Sequence, residues 1–329
     1  MEKIKVGVIG VGSMGKNHVR SYAALKHVCN FVGIYDIEQA RSEEIAKSYG
    51  VKSFKSLDDL MEEVDAVNIA TPTSTHYVIA LEALKKDLHI LLEKPITATI
   101  EEAQHLLKVA KKRNLIIQVG HIERFNPAIQ ALPGILKDKE IIALDVQRMG
   151  PYDPRINDTD VIQDLMIHDI DVVNSIVPST INNINAFARQ VKSDNHMDYA
   201  VANIEMENGV IATLTASRTT HKKVRRLSIT THSSYIELDY IQRKIVVTHR
   251  GGLMPDSLDY QQENEFEEVF NNEEEPLKAQ LAHFLSCIEN DTKPLISGYD
   301  GLEALKLTKL IQKQVYNEDN KMTQYLSSK

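Results

Sequence analysis

The run Gly10-Val-Gly-Ser-Met-Gly15 limits what this chain can fold into more than any other stretch. It comes directly after the apolar run Lys5–Ile9 and opens an amphipathic stretch, Ser13–Leu25. The first glycine permits a tight turn, the second lets the backbone approach a pyrophosphate, and the third lets helix and strand pack closely. A second apolar run, Phe31–Tyr35, ends at Asp36, 21 residues after Gly15. A carboxylate there accepts hydrogen bonds from adenosine ribose hydroxyls and repels a 2′-phosphate. A glycine-rich turn without a ligand is the alternative for the string alone, but strand, helix and acid in this order favour a dinucleotide. NAD is preferred to NADP, with Arg41 on the next helix too remote in the pattern to reverse that preference. The cofactor set read here is Gly10, Gly12, Ser13, Met14, Gly15, Asp36 and Ile37.

The surrounding pattern agrees. Apolar runs at Ala66–Ala70, Ile90–Leu92 and Leu115–Val119 alternate with helical patterns at Glu38–Tyr49, Thr75–Leu84 and Thr99–Lys112. Continuous strands separated by helices indicate a doubly wound parallel sheet with helices on both faces. Ligands of such sheets gather at the carboxyl ends of the strands. Thr71-Pro72-Thr73 and Glu93-Lys94-Pro95 occupy two of those ends, and His76 opens a helix beside the first, so Thr71, Pro72, Thr73, His76, Glu93 and Lys94 join the cofactor set. A lysine at such a place, partly desolvated, can move a proton. Alone, it would be a surface charge.

After Pro127 the pattern changes to successive strands: Ile141–Arg148, Ile184–Val191, Tyr199–Glu207, Val210–Thr215, Arg226–Thr231, Tyr235–Leu238 and Lys244–Thr248. Asn208-Gly209 is the clearest turn between them. They predict an α+β domain with an open-faced, mostly antiparallel sheet. The acidic stretch Glu263–Glu275 reads as a solvated loop, and helices at Lys278–Glu289 and Leu302–Tyr316 close the chain. The change of pattern divides the chain into a nucleotide-binding domain, 1–121, and a substrate-binding and oligomerisation domain, 122–329.

Between the first two strands of the second domain lies Thr159–Val177. Wound at about 100° per residue, it gathers Asp160, Asp164, His168, Asp171 and Ser175 on one stripe. Its remaining apolar circumference is wider than a surface helix needs, so the helix is largely buried and the stripe faces something polar. Asp164 and His168 are neighbours at i, i+4. A carboxylate can hold an imidazole in one tautomer and make it a base near neutral pH; a structural pair at a helix–sheet contact is the alternative. Asp169 projects into the apolar sector and needs a buried partner.

A formal charge of −8 argues against a nucleic-acid or polybasic membrane surface. The start MEKIKVGVIG has no signal-peptide form and no apolar run has the length of a membrane span. Cys29 and Cys287 lack metal or redox spacing, so free thiols in a reducing, cytoplasmic setting are expected. No residue set has trusted metal-ligand spacing.

GVGSMG with Asp36, Thr71-Pro72…His76, Glu93-Lys94-Pro95 and Asp164-x-x-x-His168 together resemble the Gfo/Idh/MocA oxidoreductases over nearly the whole chain. The resemblance implies a Rossmann domain followed by an open-faced sheet through which dimers or tetramers form. It implies NAD as cofactor, Lys94, Asp164 and His168 as the catalytic group, and His121 close to cofactor and substrate. The forms Gly120-His-Ile-Glu-Arg-Phe-Asn-Pro127, Asp164-Leu-Met-Ile-His-Asp-Ile-Asp171 and Gly150-Pro…Arg155 look like the UDP-N-acetylglucosamine 3-dehydrogenases of this family, although Met166 stands where many members carry glycine. That group makes a 3-keto sugar nucleotide for a partner aminotransferase in lipid A or other cell-envelope sugar synthesis. A diphosphate on such a substrate needs cations. Arg124, Arg148, Arg155 and the Lys222–Arg226 cluster are candidates, with Asn126 beside Arg124; for Lys222–Arg226 a solvated turn is the competing reading. Two other functions fit the motifs: a dehydrogenase of another sugar, inositol or UDP-uronic sugar, and a non-catalytic NAD-binding regulator. Retention of Lys94, Asp164 and His168 together counts against the regulator.

Overall fold

The computed structural model describes residues 2–153, 159–250, 264–270 and 275–327, the backbone alone at 250, 264–270 and 317–327. The chain forms two compact units, Met1–Phe125 with Glu274–Lys306, and Asn126–Glu273 with Leu307–Lys329.

The first unit begins with β1 (Lys5–Ile9), α1 (Ser13–Ala24), β2 (Asn30–Tyr35), α2 (Gln39–Tyr49), β3 (Lys52–Ser53) and α3 (Leu57–Glu62). It continues with β4 (Ala66–Ile69), α4 (Thr73–Lys85), β5 (His89–Leu92), α5 (Ile100–Arg113) and β6 (Ile117–Val119). The strands lie in the order β3-β2-β1-β4-β5-β6, all parallel. Helix ends obey local chemistry. Thr99 and Glu102 form a reciprocal capping box at the start of α5, which ends in Lys111, Lys112 and Arg113 before left-handed Asn114. Gly50, at φ 64°, ends α2.

The second unit contains α6 (Pro127–Ile135), β7 (Ile141–Met149), a wide π turn (Ile162–Met166) running into α7 (Ile167–Ile176), and β8 (Ile181–Arg189). Strands β9 (Tyr199–Met206), β10 (Ile211–Ser217), β11 (Val224–Thr231), β12 (Ser234–Asp239), β13 (Lys244–Arg250) and β14 (Asn264–Phe270) complete its sheet. Their order is β14-β13-β12-β11-β7-β10-β9-β8, antiparallel throughout except for β7 with β10. Leu144, Val146, Ala212, Leu214, Leu227, Ile229, Ile236 and Leu238 are buried on one face. Phe187, Tyr199, Ile211 and Tyr235 are exposed. The acidic stretch predicted as a loop therefore contains β14: its carboxylates hide an edge-strand pairing with β13 that composition alone does not reveal.

The closing helices are α8 (Pro276–Asn290) and α9 (Gly298–Ser327). Leu277, Leu281, Phe284 and Leu285 of α8 pack with Val6, Val8, Val19, Tyr22 and Ile34 in one core cluster of the first unit. A single boundary at 121 thus marks only one crossing, because the chain returns to cover the parallel sheet. In the second unit Gln314 of α9 accepts from Ala186 N at 3.0 Å and donates to Ile184 O at 2.6 Å. One amide thereby blunts the edge of β8. Cys29 and Cys287 are free and buried. No helix among the described residues is long and apolar enough to cross a membrane.

Candidate active site

In the first unit the glycine turn has the geometry its spacing demands. Gly10 has φ +83° and donates to Tyr35 O at 2.8 Å. A Cβ on Gly15 would stand 2.0 Å from Gly10 O, so only hydrogen allows the helix to close on the strand. A Cβ on Gly12 would meet nothing within 4 Å. That open side, beside an α1 N-terminus with no side-chain cap, leaves Ser13, Met14 and Gly15 amides to face an anion. Asp36 is buried; its carboxylate accepts from Val11 N at 2.8 Å and Glu38 N at 2.9 Å. A carboxylate has about four lone-pair sites, so two remain for ribose hydroxyls. These residues fit a dinucleotide. Ile37 is 90% exposed just beyond the carboxylate, on no core contact. Arg41 is nearer than the pattern suggested: Nη1 lies 3.7 Å from Asp36 and Nη2 2.5 Å from Glu38. Held by two carboxylates, it does not offset the negative charge that disfavours a 2′-phosphate.

The next two strand ends are tied together by His76. Its Nδ1 faces Pro95 O and its Nε2 faces Thr71 O, both at 2.9 Å, and the ring is buried. Burial pushes its pKa down, against the pull of these carbonyls and of Glu93. His76 therefore fixes the Thr71-Pro72-Thr73 turn to the Lys94–Pro95 peptide, which is cis. Both ring nitrogens are engaged with backbone, so His76 holds these two loops together. Glu93 makes a further tie, 2.7 Å from buried His18 on α1. Gly120 leaves room for that carboxylate, since a Cβ there would meet Glu93 Oε1 at 2.8 Å. His121 is fully buried, its pKa lowered to about 3 by burial and then by the charges of Lys94 and Arg124. It is a neutral ring beside two cations. Lys94, Thr71, Glu93 and His121 thus gather at the carboxyl ends of β4, β5 and β6, in agreement with the rule for open sheets.

In the second unit the Asp164–His168 helix is buried as predicted, but not uniform. Val161, Ile162, Met166, Ile167, Ile170, Val172 and Val173 are inaccessible. The π turn, with Ile167 N bonded to Ile162 O, includes Asp164, so a constant helical step fails at one member of the predicted pair; such turns often mark functional sites. Asp164 and His168 are half-buried. Other members of the predicted stripe are structural. Asp160 caps the helix through Ile162 N (3.0 Å) and Gln163 N (2.8 Å) and accepts from Gln312 (2.8 Å) and Tyr316 (3.2 Å). Asp171 is buried, and Ser175 turns back to Val172 O. Asp169 has the buried partner it required: Arg148 Nε lies 2.9 and 3.0 Å from its two oxygens and Nη2 2.8 Å from Oδ1. That pair removes Arg148 from the diphosphate candidates: its Nε and Nη2 are both taken by Asp169 at 2.8–3.0 Å, and it lines no part of the cavity described below.

Asn126 also has a structural place: its side chain accepts from Ala128 N, capping α6, and donates to Tyr240 O, both at 3.1 Å. Arg124 is half-buried and donates to Leu295 O at 3.4 Å. Arg155 lies outside the described residues. A cavity of about 340 Å³ in this unit is lined by Asp164 together with Ser217, Arg218, Lys223 and Arg225. Arg218 carried no signal in the sequence, since it sits just past a strand with no motif around it. Among the described residues no cluster of three His, Cys, Asp or Glu side chains is placed to hold a metal.

Residues 4–121 match the family model of the GFO/IDH/MocA oxidoreductases with an NAD-binding Rossmann fold, and residues 146–236 match the GFO/IDH/MocA C-terminal domain. The UDP-N-acetylglucosamine 3-dehydrogenase of Acidithiobacillus ferrooxidans is 37% identical over 78% of this chain and 80% of its own. A solved structure of the enzyme of that name from that organism superposes with a TM-score of 0.88 at 33% identity, covering 96% of this chain and 98% of the other. The NAD(+)-dependent scyllo-inositol 2-dehydrogenase of Bacillus subtilis is 25% identical over 91% of this chain and 90% of its own. A levoglucosan dehydrogenase complex with NADH and L-sorbose shares the fold, with a TM-score of 0.83 at 20% identity over 97% and 98% of the two chains.

Proposed function

The chain belongs to the GFO/IDH/MocA oxidoreductase family and uses NAD; from that premise we propose that it oxidises the 3-hydroxyl of UDP-N-acetylglucosamine to the 3-keto sugar nucleotide. The coarser statement, an NAD-binding sugar dehydrogenase, rests on the family. The finer one is carried by a single observation: identity of 37% to a UDP-N-acetylglucosamine 3-dehydrogenase extends over 78% of the chain.

In this reading NAD, when bound, accepts the hydride from the sugar carbon. The α1 N-terminus holds the pyrophosphate and Asp36 the ribose. His168 accepts the hydroxyl proton, Asp164 orients the ring and stabilises its charge, and Lys94 hydrogen-bonds the same oxygen. His76 and Glu93 hold the loop that carries Lys94. The 3-keto product is a substrate for an aminotransferase, which would place the enzyme in synthesis of lipid A or another envelope sugar, as a dimer or tetramer.

The test is NADH formation with UDP-N-acetylglucosamine, other UDP-sugars, free sugars and inositols, repeated with an aminotransferase and amino donor to draw off the ketone. UDP-N-acetylglucosamine should exceed every other compound by about tenfold or more in kcat/KM. Preference for an inositol or free sugar would replace the substrate; no reduction of NAD by any compound, coupled or not, would leave a binding protein.

A further inference from the structure

We propose that the cavity lined by Asp164, Arg218, Lys223 and Arg225 receives the phosphate-bearing end of the substrate, with Lys223 as a specificity-determining contact. The proposal rests on the nucleotide-sugar reading above and deepens it.

The cavity lies wholly in the second unit, where the ends of β7 and β10 and the start of β11 meet the π turn. Its volume, about 340 Å³, suits part of a nucleotide sugar. Three cations line it in a chain whose net charge is −8, against the two carboxylates Asp153 and Asp164. Two of the cations are held in place by the fold. Arg218 is 5% exposed; its Nη2 donates to Thr159 O at 2.7 Å and its Nε lies 3.8 Å from Asp198. Asp198 is itself fixed by the amides of Val191, Lys192 and Ser193 at 2.8, 2.6 and 2.8 Å. Arg225 Nη1 donates to Met149 O at 2.7 Å and Val224 O at 2.9 Å. Guanidinium groups fixed by backbone carbonyls lose little freedom when an anion arrives. Lys223 is exposed on the cavity wall, so its charge can close over a phosphate. Asp164 on the same wall joins this cationic lining to the proposed proton-transfer group. A phosphate held by these cations leaves the rest of its molecule beside Asp164.

Lys223→Ala and Lys223→Glu test this, with Lys137→Ala, exposed in the same unit but outside the cavity, as the control. KM for UDP-N-acetylglucosamine should rise about tenfold or more in Lys223→Glu, while kcat stays within about twofold and the KM for NAD is unchanged. Binding of UDP and of inorganic pyrophosphate to the NAD-loaded protein, measured by calorimetry, should weaken in parallel. If the sugar nucleotide is oxidised with the same KM in Lys223→Glu, the cavity assignment is wrong and the reaction stands. If UDP-N-acetylglucosamine is not oxidised but UDP binding still depends on Lys223, the reaction is wrong and the cavity stands. Wild-type protein that binds neither UDP nor pyrophosphate overturns the assignment outright.

Discussion

The glycine turn of the first unit and the Asp164–His168 helix of the second are built on different principles. The first is made of backbone: a left-handed Gly10, a Gly15 that allows 2.0 Å where a Cβ would stand, and an uncapped helix start. Asp36 holds it through Val11 N, and Ala70 and Thr71 at the next strand end close over Gly10. The second is made of side chains that meet partners on other elements. Asp160 meets Gln312 and Tyr316, about half the chain distant, and Asp169 meets Arg148 from the strand before it.

Four measurements would sharpen or break that contrast. The largest effect belongs to His168→Ala, which should lower kcat by about 10²–10⁴-fold while NAD affinity, set in the other unit, stays at the wild-type value. Loss of both together would mean that the two regions are not independent. Next is Arg148→Met, which strands Asp169 in a dry core and should cost about 3–5 kcal/mol in chemical denaturation. The double change Arg148→Met with Asp169→Leu should recover much of it; no recovery would refute the buried-pair account. Asp36→Ser should cut the preference for NAD over NADP by about tenfold or more, helped by Arg41 nearby. An unaltered cofactor ratio would remove Asp36 from ribose recognition.

The last measurement is of pH dependence and concerns His121. Its pKa is near 3 in the folded protein against 6.5 as the ordinary value. Between these values the unfolded chain binds a proton that the folded one does not, so stability rises with pH across this window and is lost as pH falls from about 6.5. His121→Gln should flatten the acid limb of denaturation midpoint against pH. An equal slope in both proteins would mean that the ring is not held neutral.

The same difference governs how readily each region is read from sequence. Strands, helices and the dinucleotide turn are legible because hydrophobic periodicity and glycine chemistry act over a few residues. The need of Asp169 for a partner is legible too, but not that Arg148 supplies it. Arg41 looks remote because one helical turn separates it from Asp36 in sequence, yet that turn returns its side chain to the carboxylate. Acidic residues around 263–275 mask β14, since edge pairing is made by backbone and needs no apolar pattern. The π turn is invisible because one inserted residue in a turn leaves no mark on composition.

Sequence alone determined the parallel nucleotide-binding sheet, its preference for NAD, the antiparallel character of the second domain, and the residues able to do proton chemistry. These depend on conformations that single residues dictate. Tertiary structure decided which cations are already spent, as Arg148 is, and which line a cavity, as Arg218, Lys223 and Arg225 do. It also decided that His76 holds loops together and that α8 returns to the first core. Those outcomes depend on pairing between distant segments, where the free energy of burying a charge or an apolar face is settled by what the folded chain brings beside it.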